Sequence, residues 1–288
     1  PVLCHEDLDE VAANSLLDKK VKAVINCCKS ISGRYPSKGA KLLLENDITI
    51  IDSAGEEFFQ WVNDEDFIEI RGSNIYVNEN KCSFPFNILT KEKVEKLLNN
   101  SYDNFTIELE KFIDNTLEYA GKEKDIILKN PDLSFIESNM EGKHVLIVVR
   151  GCHYKQDLQT IRGYIKDFKP VLIGVDGGAD ALLEFGLIPD MIVGDMDSVS
   201  DLSLKKCKEV VVHAYPDGRA PGLARMERLG IKAKVFPFPG TSEDVAMIIA
   251  YEKKADMIVA VGTHSNMIDF LEKGRKGMAS TMLTRLKI

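Results

Sequence analysis

The chain has 288 residues, 44% of them hydrophobic, and a formal net charge of -8. That apolar content excludes global disorder, and at about 150 residues per domain the length points to two domains. The negative balance argues against a general nucleic-acid-binding role, which needs a clustered basic surface.

No apolar run approaches the roughly 18 residues of a membrane helix, and no charged-then-apolar leader opens the chain. The chain begins with Pro1 and stops at Ile288 soon after a helical pattern, which leaves open a targeting or membrane segment beyond either end. Cys4, Cys27, Cys28, Cys82, Cys152 and Cys207 show no C-x-x-C spacing, and the five histidines lack metal-ligand spacing. Buried thiols in a reducing cytosol are expected, and a structural zinc site is not.

In "CHEDLDEVAA", Glu6, Asp7 and Asp9 read as the acidic first turn of a helix, with a metal site as the sharper alternative. Residues 21–28, "VKAVINCC", read as a buried strand, 38–46 as a helix and 48–52 as a second strand. Between the first strand and the helix, Ser30, Ser32 and Arg34 in "SISGRYP" form either an anion-binding turn or a structural one. "EEFFQWV" reads as a short helix, and the alternation around Gly72-Ser73-Asn74 as a β-hairpin.

From Thr90 to about Ser138 the pattern is charged and helically periodic. One or two long helices are expected there, as a connector packed on one face. A dimerising coiled coil is less well supported, because strict heptads are not sustained. From His144 onward, short Val/Ile-rich runs alternate with helical segments. Runs without polar alternation are buried on both faces, so a doubly wound, mostly parallel sheet is expected. The expected division is 1–88, a small α/β domain with a β-hairpin, 89–140, a helical linker, and 141–288, a nucleotide-binding domain.

In open α/β sheets ligands meet the carboxyl ends of the strands. Asp176 ends one run and is followed by Gly177 and Gly178; Asp195 and Asp197 end the next, beside Ser198. The glycines allow close approach of a phosphate, and two carboxylates one residue apart can reach one hard cation. Alone, the first motif also fits a turn and the second a helix N-cap. Thr241 and Ser242 cap a helix or face the same site, and Asp244 either favours that helix N-terminus or reaches the site. Thr263, His264, Ser265 and Asn266 open a helix after the last strand, where they bind a base, ribose or phosphate or serve as N-terminal polar groups. His264 is a candidate general acid or base. Arg219 in "YPDGRAPG" is either a phosphate ligand or a solvated loop residue.

With "DGGA" and "IPDMIVGDMDS" in place, residues 144–270 resemble the catalytic domain of thiamine pyrophosphokinases. In that family the acidic residues bind magnesium and ATP, and a pyrophosphoryl group passes to the hydroxyl of thiamine. The resemblance implies such roles for Asp176, Asp195, Asp197 and Ser198, and for Asp244 in "TSEDVA". The family's later Gly-Gly-Arg-x-Asp-His element is replaced here by "GTHSNMID", and its C-terminal β-sandwich has no counterpart before Ile288. Over most of the chain, "CHEDLDEVAANSLL", "INCCKSISGRYPSKG" and "VVHAYPDGRAPGLARMERLG" resemble the bacterial SteA family, which is associated with the division site and continues into a C-terminal membrane helix.

The first functional expectation is therefore a pyrophosphokinase-like enzyme that takes magnesium and ATP and passes a pyrophosphoryl or phosphoryl group to a small-molecule hydroxyl. Asp195 and Asp197 would hold the metal. Asp176 and Asp244 complete the catalytic set. Gly177, Gly178, Ser198, Arg219, Thr241, Ser242, Thr263, His264, Ser265 and Asn266 are the nucleotide-binding candidates. The second expectation is a non-catalytic nucleotide-sensing or scaffold protein of bacterial cell division. The resemblances imply a homodimer, a cytoplasmic location and membrane attachment through a segment beyond Ile288.

Overall fold

The computed structural model describes every residue except 72, 73, 83–85, 152 and 265, and the side chains of 80–82. The chain divides into two compact units, Pro1–Lys111 with Met267–Arg275, and Phe112–Asn266 with Lys276–Ile288.

The first unit opens with β1 (Val2–Leu3), α1 (Glu10–Asp18), β2 (Ala23–Asn26), α2 (Gly39–Glu45), β3 (Thr49–Asp52) and α3 (Glu56–Trp61). It continues with β4 (Ile68–Arg71), β5 (Asn74–Val77), β6 (Asn80–Cys82) and β7 (Asn87–Ile88). One sheet has the order β1-β2-β3-β7, with only β7 antiparallel. The expected hairpin is β4–β5, where Arg71 pairs with Asn74; its turn residues Gly72 and Ser73 lie outside the described residues. β6 extends it to three antiparallel strands. The acidic first turn at the N-terminus is resolved into separate duties. Asp9 caps α1 by accepting the Ala12 N–H at 2.6 Å, while Asp7 is buried and accepts the Ser32 hydroxyl at 2.8 Å.

The charged middle stretch is one helix, α4 (Lys91–Ile127), 37 residues long. Its residues up to Lys111 belong to the first unit and those from Phe112 to the second.

The second unit carries β8 (His144–Val148), α5 (Tyr154–Thr160), α6 (Arg162–Phe168), β9 (Val171–Val175), α7 (Gly178–Glu184) and β10 (Met191–Gly194). Then come α8 (Asp201–Lys206), β11 (Glu209–Ala214), α9 (Leu223–Leu229), β12 (Ala233–Pro237), α10 (Ser242–Glu252) and β13 (Met257–Val261). α11 (Met267–Glu272) falls in the first unit, and α12 (Ala279–Lys287) in the second. The helical segment between β8 and β9 is two helices, divided at Ile161.

The sheet has the order β12-β11-β10-β9-β8-β13, and every pairing is parallel. Its central strands are buried on both faces: Val145 and Ile147 of β8 pack with α10, while Leu146 and Val148 pack with α5 and α7. Each such side chain contributes about 1.5–3 kcal/mol by leaving water. β13 follows β12 in the chain yet pairs with β8, so the winding reverses between β8 and β13, the kind of switch point where such sheets bind ligands. No helix among the described residues is long and apolar enough to cross a membrane. Cys27 is buried as expected, whereas Cys4 is exposed.

In the first unit, burial and then the neighbouring Asp9, Asp269 and Glu10 push the Glu272 carboxyl up to about 7. The folded state thus holds a proton that the unfolded chain releases at an ordinary carboxyl pKa. The linked stability is full below that ordinary value and is lost as pH rises through about 7. Thermal melts from pH 5 to 8.5 should show the wild type losing stability over this window. Glu272→Gln should flatten the loss, by about 2–4 °C after allowance for solvent screening.

Candidate functional site

β9 and β10 end side by side, and their loops interlock. Asp176 follows β9 with φ 46°, a left-handed conformation uncommon outside glycine. Its N–H donates to Val193 O at 3.0 Å, and its Oδ1 accepts the Met196 N–H at 3.2 Å. That carboxylate lies directly over Gly194, where a Cβ would stand 1.7 Å from Oδ1. Only glycine fits there. The Gly177 N–H donates to Ser198 Oγ at 3.3 Å and closes a second link between the loops. A Cβ on Gly178 would stand 1.9 Å from the Val148 carbonyl, so this glycine lets α7 start against the end of β8. The reason is helix–strand packing, where approach to a phosphate was expected.

The loop after β10 is braced from behind. The Arg225 guanidinium donates to the carbonyls of Met196 and Val199 and pairs with Asp201. Gly222, at the start of α9, packs on the Asp195 carbonyl, where a Cβ would stand 2.1 Å away. Asp180 accepts from the Ser200 N–H at 3.0 Å and from the hydroxyls of Ser200 and Ser203. Ser200 caps α8, so the cap reading does not apply to Asp195, Asp197 or Ser198. Asp195 and Asp197 are exposed, and the Asp197 N–H donates to Asp195 Oδ1 at 3.1 Å.

Two arginines escaped the sequence reading. Arg225 braces the acidic loop. Arg150, just past β8, is exposed, and a Cβ on Gly177 would lie 3.0 Å from its Cδ. The only signal for Arg150 was a cation ending the buried run "HVLIVVR". Arg219 is exposed on the loop after β11, where its Nε donates to Asp217 at 2.7 Å and its guanidinium lies over the Tyr215 ring.

The α10 N-terminus corrects the role expected of Asp244. Thr241 and Asp244 form a reciprocal capping box, with Thr241 Oγ1 accepting the Asp244 N–H at 3.1 Å and Asp244 Oδ2 accepting the Thr241 N–H at 3.0 Å. Oδ2 also accepts from Ser280 at 2.9 Å and Thr281 at 3.0 Å, both on α12. Asp244 is 1% exposed, and burial pushes its carboxyl above the usual range. It is thus covered by α12, unlike the open carboxylates of the β10 loop. Ser242 Oγ lies 3.2 Å from the His213 ring, and His264 Nδ1 lies 3.1 Å from Glu243 Oε2 in a buried pair. Thr263 is half-buried and Asn266 exposed, and Ser265 lies outside the described residues.

The loop read as a second anion site has its donors taken by acidic side chains. The Ser30 N–H donates to Asp52 at 2.6 Å, Ser32 bonds Asp7, and Arg34 Nε pairs with Glu108 at 3.1 Å.

Among the described residues, no three His, Cys, Asp or Glu side chains converge where a metal ion would sit. Asp195 and Asp197 offer two exposed carboxylates on a fixed backbone. This donor set fits a magnesium ion, which takes one or two carboxylates and completes its shell with substrate phosphates and water.

An all-parallel sheet with acidic loops at the carboxyl ends of adjacent strands is the architecture of a ligand-binding α/β protein. The profile of the thiamin pyrophosphokinase catalytic domain matches residues 164–221, which include Asp176, Asp195, Asp197, Ser198 and Arg219. The chain is 30% identical over 177 residues to the 6-hydroxymethyl-7,8-dihydropterin pyrophosphokinase of Pyrococcus furiosus, covering 56% of this chain and 74% of that protein. The chain belongs to this pyrophosphokinase family.

The interlock at Gly194 is open to direct test. Gly194→Ala forces its Cβ into the Asp176 carboxylate, and is expected to cost about 1–3 kcal/mol in denaturant unfolding, the range for overpacking a tight site. A crystal structure of the variant should show Asp176 turned away from the Met196 N–H.

Proposed function

We propose that the chain is a magnesium- and ATP-dependent pyrophosphokinase whose acceptor is a primary hydroxyl on an alkyl substituent of a heterocycle. One observation carries this reading: Asp195 and Asp197 are exposed while the backbone that bears them is held by Asp176, Gly222 and Arg225. Carboxylates held this way meet a cation with little further loss of freedom. The acceptor class comes from the family, since the relative's name specifies a hydroxymethyl pterin and the matching domain is named for thiamin.

In this reaction the acceptor hydroxyl gives up its proton to solvent as its oxygen bonds to the β-phosphorus of ATP, the bond from that phosphorus to the oxygen bridging the α-phosphorus breaks, and AMP leaves. Phosphoryl-type transfer needs mainly positioning and charge neutralisation. A magnesium ion held by Asp195 and Asp197 would supply part of that neutralisation. Arg150, beside the Gly177 turn, would draw the polyphosphate toward the strand ends by charge-assisted hydrogen bonds. Ser198 fixes the Gly177 N–H, and Arg225 is a positioning residue for the acidic loop.

A second reading, a protein that binds nucleotide without turning it over, is favoured by the burial of Asp244 and His264. Its link to bacterial cell division rests on the sequence resemblance alone.

Calorimetric titration of ATP with and without magnesium tests both. The expected result is magnesium-dependent binding that Asp195→Ala/Asp197→Ala weakens at least about 100-fold, in line with loss of charge-assisted contacts worth roughly 3 kcal/mol. Undiminished binding by the double variant would overturn the site. AMP release on adding 6-hydroxymethyl-7,8-dihydropterin or thiamine supports the enzyme, and binding without release from either supports the second reading.

A further inference from the structure

We infer that the second unit has another binding site, for a small organic anion with an apolar body, in the cavity between α6 and the end of α7. This inference does not depend on the pyrophosphokinase reading. The cavity has a volume of about 680 Å³, within the range of small-molecule sites. α6 and α7 lead into the starts of β9 and β10, so the cavity lies toward the amino ends of the strands, opposite the carboxyl ends that carry Asp176 and Asp195.

Its floor is apolar. Leu158 and Ile165 are buried, and Phe185 and Leu187 are half-buried. Its rim is cationic: Arg162, Lys166 and Lys169 line the cavity, and all are exposed. Among the described residues, none of the three has an ion-pair or side-chain hydrogen-bond partner. Arg162 and Lys166 stand four apart on α6, a spacing at which like charges repel. Lys169 follows with φ 47°, where glycine or asparagine is the usual residue. Three cations thus stand around one apolar floor in a chain of net charge -8. They complement a carboxylate or phosphate head whose attached carbon skeleton fills the floor.

Gly163 supplies an independent observation. It lies within α6 and lines the cavity, its φ is not left-handed, and a Cβ there would meet nothing within 4 Å. Neither backbone geometry nor close packing requires glycine at this position, and glycine weakens a helix. Its consequence is an open mouth to the cavity. Gly186 on the other side differs, since φ 74° explains it as the turn that ends α7.

The test is calorimetric titration of the whole chain with decanoate, decyl phosphate, decanol and inorganic phosphate. Decanoate or decyl phosphate should bind at one site, at least tenfold tighter than decanol or inorganic phosphate. Which of the two binds tighter identifies the head group. Arg162→Ala/Lys166→Ala/Lys169→Ala should weaken the tighter ligand at least tenfold. Gly163→Leu, which fills the mouth with a better helix former, should abolish binding while the far-ultraviolet circular dichroism stays unchanged. The inference is overturned if neither amphiphile binds, if inorganic phosphate binds as tightly as decyl phosphate, or if folded Gly163→Leu binds as well as the wild type.

Discussion

β8, β9 and β10 are buried on both faces, and this constraint sets where every polar group of the second unit can go. Their backbone N–H and C=O groups are paired within the parallel sheet, so no polar side chain is needed in their buried interiors, and an unpaired one there would be costly. Polar residues are displaced to the strand ends. There Asp176 lies over Gly194 and takes the Met196 N–H, joining the ends of β9 and β10. With Arg225 bonded to the carbonyls of Met196 and Val199, the acidic loop has little freedom left. Asp195 and Asp197 are presented on that fixed backbone.

The same edge of the sheet carries a carboxylate with the opposite fate. Asp244 also follows a parallel strand through a short loop, and it is 1% exposed. The difference lies in what covers it. α12 brings Ser280 and Thr281 onto the Asp244 carboxylate, and Thr241 closes the capping box. Burial then raises its pKa, so it is held by hydroxyls and by a helix N-terminus instead of facing a ligand. Asp195 and Asp197 stay open, while Asp244 is made structural by a helix some forty residues further along the chain.

The elements of both units were largely legible from the chain alone. Buried β-branched runs such as "VLIGV" and "MIVG" have few alternatives to a parallel strand, and the periodicity of Lys91–Ile127 admits little but a helix. The paired acidic motifs were legible for a related reason: polar residues directly after such runs must lie at strand ends. The short β6 was missed because three residues carry too little periodicity to register, and the break at Ile161 because nothing at that position in the sequence marks a stop.

Other features depended on residues distant in sequence. Ser30, Ser32 and Arg34 have the composition of an anion-binding turn, yet Asp52, Asp7 and Glu108 take their donors, and no local pattern encodes those pairings. Arg150 and Arg225 carry no motif, and their place beside Gly177 and Met196 follows only from the order in which the strands pair. By itself, the sequence determined the strands, the helices and the carboxylates at the strand ends, because burial and periodicity act over a few neighbouring residues. Which of those carboxylates stay open, and which cations stand near them, was decided only by the tertiary structure, because exposure and charge pairing depend on segments that the fold brings together.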